Sequence, residues 1–176
     1  MRKTHLARCR VLIWAIAIAL APVCARAQDE PRPVIWDVAR DVLLDPTTYA
    51  PAAFAYTAQR LDWKSSQVFF EHGWAEQNPS FTMSGRRNDV PISDQAGKRV
   101  IRSKALSVLQ VSAVNNLAAG IGERMLIARY PKQRKLWLTL SWVERISFAS
   151  YVSYVSSAEH LRQIGRNRRL AQQYGY

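Results

Sequence analysis

Cysteine is almost absent from this chain of 176 residues, since its two cysteines, Cys9 and Cys24, both lie near the N-terminus. The rest of the chain has no thiol for a disulfide, a redox centre or a thiolate nucleophile. Glycine is scarce as well, and neither a Gly-rich phosphate loop nor a Gly-x-Ser-x-Gly nucleophile motif occurs. The sequence therefore predicts no cofactor and gives no signature of an enzyme class.

The first 27 residues have the pattern of an export signal. A cationic start precedes an uncharged apolar run over 11–21, and Ala25-Arg26-Ala27 places small residues at the two positions that signal peptidase reads. We predict that residues 1–27 are removed and that the mature protein is periplasmic or secreted. A lipid anchor on Cys24 is disfavoured, because Val23 is larger than the residue that usually precedes a lipidated cysteine.

The charge of the chain favours an anionic partner. Its net charge is +12, and the predicted mature chain keeps about +7, because five of the 25 basic residues and none of the 13 acids belong to the signal. Outside the cytoplasm such a surface meets anionic lipid headgroups or envelope polymers, so we expect no nucleic acid. The alternative is a basic surface that only keeps the protein soluble. The candidate binding residues form a basic rim near the C-terminus: Arg162, Arg166, Arg168 and Arg169.

Apolar residues at three- and four-residue spacing predict an all-α fold with two shorter N-terminal helices and two long C-terminal ones. Asp45-Pro46 should end the first helix and Pro51 should begin the second, which Gly73 should stop. The predicted order is a disordered lead-in at 28–33, one helical domain over 34–169 and a flexible basic and aromatic tail at 170–176. Within the domain the helices are predicted at 34–44, from Pro51 onward, at 99–129 and at 133–169. Residues 67–72 either continue the second helix or form a separate turn.

The two long helices are predicted to form an antiparallel hairpin that turns at Pro131. Residues 105–121 are apolar around most of the helix, so they must be buried in protein or in lipid. Counting residues outward from Pro131 along both helices places Glu144 within about one helical turn of Asn116. We therefore expect a polar layer in which Glu144 faces inward and Arg145 reaches the surface, built from Asn115, Asn116, Glu144 and Ser147.

The connection over 77–98 lacks sustained apolar periodicity. Phe81-Thr82-Met83 and Val90-Pro91-Ile92 are expected to pair as a small hairpin, with Pro91 on an edge strand. A connection of this length in a small domain is typically a binding loop or a mobile segment.

His72 and Glu76 are possible binding residues, because their four-residue spacing would place two ligands on one helical face. Gly73 between them argues against a continuous helix, and zinc needs three or four ligands, so we predict no metal site. A hydrolase centred on His72 is kept as one alternative.

A second alternative is an inner-membrane hairpin. Segments 105–121 and 136–158 are long enough to span, although Glu144 and Arg145 would each cost about 2.5–3.5 kcal/mol at the centre of a bilayer. The polar intramembrane site would then lie around Asn116 and Glu144. The primary expectation is a non-catalytic protein of a bacterial-type cell envelope that binds a partner or an anionic surface through the basic rim or the 77–98 loop.

Overall fold

The computed structural model describes residues 34–176, and the predicted signal peptide and the 28–33 lead-in lie outside this range. The predicted all-α class is confirmed. The described chain forms four helices: α1 Val34–Leu44, α2 Pro46–Glu71, α3 Asp94–Arg129 and α4 Arg134–Tyr174. Short 3₁₀ turns lie at Pro79–Phe81 and Pro131–Gln133.

The second helix begins at Pro46, so the predicted start at Pro51 is wrong. Asp45 caps α2, because its Oδ1 accepts hydrogen bonds from the backbone N–H of Thr47 (2.9 Å) and from Thr47 Oγ1 (2.7 Å). Proline suits the first helical position, where no N–H partner is needed, so Asp45-Pro46 ends one helix and starts the next. Pro51 lies buried inside α2.

The helices α2, α3 and α4 lie side by side with alternating direction. The beginning of α2 meets the middle of α3, where Thr48 contacts Asn116, and Trp63 near the end of α2 meets Asp94 at the beginning of α3. The predicted antiparallel hairpin of α3 and α4 is present, with Pro131 at its exposed turn. The short α1 packs on α3, where Val38 lies against Gly120.

Both long helices extend beyond their predicted bounds. Ser93 caps α3 by accepting a hydrogen bond from the Ala96 N–H, so α3 starts five residues before Arg99. The last helix continues to Tyr174 and ends where Gly175 adopts a φ of +75°. Residues 170–174 of the predicted tail are therefore helical, and the Tyr176 ring packs on residues at the end of α2.

The predicted pairing of 81–83 with 90–92 occurs, although as an isolated bridge between Thr82 and Pro91 rather than as two strands. The Ile92 N–H donates to the Phe81 carbonyl at 2.8 Å. Phe81 itself is 4% exposed and stacks on Trp63 with ring centroids 5.0 Å apart. Burial of this ring fixes the connection to the end of the bundle.

Candidate functional site

The interior of the bundle contains buried polar side chains close to the start of α2. Asn116 is 1% exposed, and its Nδ2 donates to Thr47 Oγ1 (2.9 Å) and Thr48 Oγ1 (2.8 Å). Thr48 Oγ1 in turn donates to the carbonyl of Val42 at 2.8 Å. Asn116 thus faces α2 and not Glu144, because α2 covers this side of α3.

An ion-pair cluster lies next to this network. Arg145 of α4 places its guanidinium 3.3 Å from Asp45 Oδ2 and 3.4 Å from Glu123 Oε2. The three side chains are only 16–18% exposed. Arg145 therefore links α4 to the cap of α2 and to α3, whereas the sequence predicted that it would point outward.

The other predicted members of the polar layer lie on the outer side of the hairpin. Asn115 Nδ2 donates to Glu144 Oε1 at 3.1 Å, and Glu144 is exposed. Ser147 is exposed as well. The structure thus joins Asn115 to Glu144 but does not bring all four predicted residues into one buried layer.

A second polar layer, which the sequence did not indicate, joins α2 to α4 further along the bundle. His160 Nδ1 lies 2.7 Å from Asp62 Oδ2, and Asn167 Nδ2 donates to Ser65 Oγ (2.9 Å) and Ser66 Oγ (3.0 Å). These partners are about a hundred residues apart in the chain. Their only local signal is the cluster of short polar side chains at 62–66.

His72 and Glu76 have separate partners. The His72 ring stacks on Tyr176 with centroids 3.8 Å apart, and its Nδ1 lies 2.7 Å from the Val68 carbonyl. Glu76 accepts a hydrogen bond from the Asn78 N–H at 2.7 Å, and burial raises the pKa of this carboxyl. Within residues 34–176 no group of three or more His, Cys, Asp or Glu side chains is placed to hold a metal ion.

The predicted basic rim lies on the last third of α4. Arg162 and Arg166 both approach Glu159, at 3.5 and 3.6 Å, and all three side chains are more than half exposed. Arg168 and Arg169 are exposed too. Glu159, on the same helix, thus neutralises part of the positive charge of the basic rim.

Many large apolar side chains lie on the outer surface of the bundle. By length and composition α3 is able to cross a membrane, yet only 17% of its most apolar window is buried. The residues of that helix that are buried include Ser112, Asn116 and Gly120. Large apolar side chains at least a third exposed occur on all three long helices, among them Tyr49, Phe54, Leu106, Val111, Val114, Leu140, Trp142, Tyr151, Tyr154 and Val155.

Uncharged stretches coincide on the three helices. They cover 46–59 in α2, 105–122 in α3 and 146–158 in α4. The residues that flank them at one end are Asp45, Glu123 and Arg145, which form the ion-pair cluster described above. Arg60, Lys104 and Glu159 flank the other end. At 1.5 Å per residue the stretches are about 20–27 Å long, and we call them together the uncharged belt.

Comparison with family models, curated proteins and solved structures finds no match to this chain.

Proposed function

We propose that this protein is an exported, non-catalytic integral membrane protein of a bacterial-type cell envelope, in which α2, α3 and α4 form a bundle embedded in lipid. The observation that carries the proposal is the distribution of side chains over the uncharged belt, where most buried residues are small or polar and most large apolar residues are exposed. Over the uncharged belt, Ser112 and Asn116 are buried, while Val111 and Val114 of the same helix are about half exposed. A water-soluble bundle places its apolar face inward.

The dimensions of the belt also support a bilayer. The hydrocarbon core of a membrane is about 30 Å thick, close to the length of the uncharged stretch in α3. Aromatic side chains occur beyond both ends of the belt. Trp142 lies just outside one end, Tyr130 and Trp137 lie nearer the hairpin turn, and Trp74 and Tyr174 lie beyond the other end. Tryptophan and tyrosine concentrate at membrane interfaces, where a ring has both apolar and polar surroundings.

The polar contacts fit helix association in lipid. Lipid tails give no hydrophobic force between helices, so small residues and interhelical hydrogen bonds hold such bundles together. Asn116 bonded to two threonines of α2, and Gly120 against Val38, are contacts of this kind. The charge of Arg145 is paired with two carboxylates at the edge of the belt, which offsets part of the cost of burying it.

Extraction of membranes tests the proposal. An embedded bundle remains with the membrane after alkaline carbonate or high-salt washing and requires detergent for release. A chain that is released by these washes, or that stays in solution without detergent, refutes the proposal. That outcome favours the soluble envelope protein that binds through the basic rim or the 77–98 loop.

Cysteine labelling locates the belt directly. In a Cys9→Ser, Cys24→Ser background, Val114→Cys and Val155→Cys place single thiols on side chains that are 50% and 55% exposed in the structure. In opened membranes both positions should resist a membrane-impermeant maleimide and react only after denaturation in detergent. Ser84→Cys in the exposed loop is the control that should react throughout. Equal reaction at all three positions contradicts a lipid-facing belt.

The hydrolase alternative has its own test. His72→Ala should abolish any hydrolysis centred on this side chain. A membrane bundle predicts that the variant remains in the membrane and that the change affects only the packing of Tyr176.

A further inference from the structure

A groove lies between α3 and α4 close to their turn. Its volume is about 450 Å³, and its walls combine two arginines and one carboxylate with apolar side chains: Glu123, Arg124, Ile127, Ala128, Arg134 and Leu138. Apolar walls with a cationic end are suited to an amphiphile with a negative headgroup.

The charges around the groove are unevenly paired. Glu123 is held by Arg145, and Arg124 Nη2 lies 2.7 Å from Asp41 Oδ2. Arg134 is exposed and forms no ion pair with any other residue in 34–176. Between positions 124 and 143 the chain has five cations and no carboxylate. The free positive charge therefore lies at the end of the groove nearest the turn.

The position of the groove relative to the belt selects the ligand. Glu123 marks the end of the uncharged belt, and the turn begins at Tyr130, which places the turn about 10 Å further along the axis of α3. The headgroup region of a bilayer is about 5–8 Å thick on each side, so the turn lies at its outer edge. Arg134 lines the groove together with Glu123, so its long side chain extends back toward the phosphate groups. Arg134 also begins α4, where the positive end of the helix dipole adds to the attraction for an anion.

We propose that this groove binds one anionic phospholipid, with its phosphodiester next to Arg134 and the ester-linked start of an acyl chain against Ile127. The proposal rests on the membrane function proposed above. It assigns a defined lipid site to the hairpin, in place of general attraction between a basic rim and a membrane surface.

Lipid retention tests the site in the full chain. The protein is reconstituted in phosphatidylcholine alone or mixed with phosphatidylglycerol and extracted in mild detergent, and the bound lipid is measured by native mass spectrometry. The unmodified chain should retain one phosphatidylglycerol in preference to phosphatidylcholine. Arg134→Gln should lower this retention about five-fold, the contribution of one basic side chain close to an anionic surface. Arg99→Gln, an exposed cation at the opposite end of the bundle, is the matched control and should leave retention unchanged.

The outcomes separate the site from the function on which it rests. Release of the chain by carbonate refutes the membrane function. A chain that stays in the membrane but retains both lipids equally, or loses phosphatidylglycerol equally in both variants, refutes only the site. Full displacement by inorganic phosphate also refutes it, because the groove would then be a site for the free ion.

Discussion

Gly97 is the position at which one methyl group should have the largest effect. A Cβ built on Gly97 would lie 2.8 Å from Trp63 Nε1 and closer still to Cε2 and Cζ2 of the same ring. The ring is buried and held in place, because it stacks on Phe81, contacts the tilted ring of Phe70 and donates from Nε1 to Asp94 Oδ1 at 3.0 Å. Gly97→Ala must therefore displace Trp63 or separate α2 from α3.

The net effect is the sum of three contributions. Overpacking costs about 1–3 kcal/mol, and loss of the Trp63–Asp94 hydrogen bond costs about 0.5–1.5 kcal/mol. The higher helix propensity of alanine offsets about 1 kcal/mol of this cost, because glycine is unfavourable inside a helix. We expect Gly97→Ala to lower the free energy of unfolding by about 1–3 kcal/mol, which corresponds to about 3–10 °C in melting temperature for a chain of this size.

The assay is thermal unfolding followed by far-ultraviolet circular dichroism in detergent micelles. Gly165→Ala is the matched control, since Gly165 also lies inside a helix but has no atom within 4 Å of its added Cβ. It should stabilise the chain by up to about 1 kcal/mol. If both variants gain stability, α2 and α3 do not approach each other as closely as described.

Three further changes test the polar interior and the loop. Arg145→Met leaves two largely buried carboxylates without their cation and should lower the free energy of unfolding by about 2–4 kcal/mol. The control Arg162→Met removes an exposed ion pair and should change the free energy of unfolding by less than about 1 kcal/mol. Equal effects of the two substitutions would contradict the buried cluster. Asn116→Ala should cost about 1–3 kcal/mol in the same unfolding assay and Asn115→Ala distinctly less, because only the former is fully buried. Burial raises the pKa of Glu76, so its contribution to stability is present below its ordinary pKa and is lost as the pH rises through the raised value. Glu76→Gln should therefore gain melting temperature relative to the parent chain between acidic and neutral pH, and parallel pH profiles would contradict this reasoning.

The helices themselves were predictable from the sequence, because apolar spacing and the Pro131 break are local signals. The start of α2 was predicted incorrectly, since Asp45-Pro46 is both a helix stop and a strong helix start. Only the cap geometry at Asp45 distinguishes the two. The predicted end at Gly73 holds, with a φ of +81° that favours glycine.

The interior was only partly predictable. A hairpin turn places Asn115 level with Glu144, and the two side chains do meet. Either Glu144 or Arg145 could point into the bundle. The side of the α3–α4 hairpin that α2 covers decides between them, and no local sequence pattern encodes that side. The contact of His160 with Asp62 likewise depends on how α4 packs along α2.

Asp45 belongs to two structural units at once. Its Oδ1 holds the first turn of α2, and its Oδ2 faces Arg145 of α4. Thr47, which bonds to the same Oδ1, also accepts a hydrogen bond from Asn116 of α3. The first turn of α2 therefore cannot fray on its own, and its backbone amides should exchange with deuterium only in the same cooperative opening that separates all three helices.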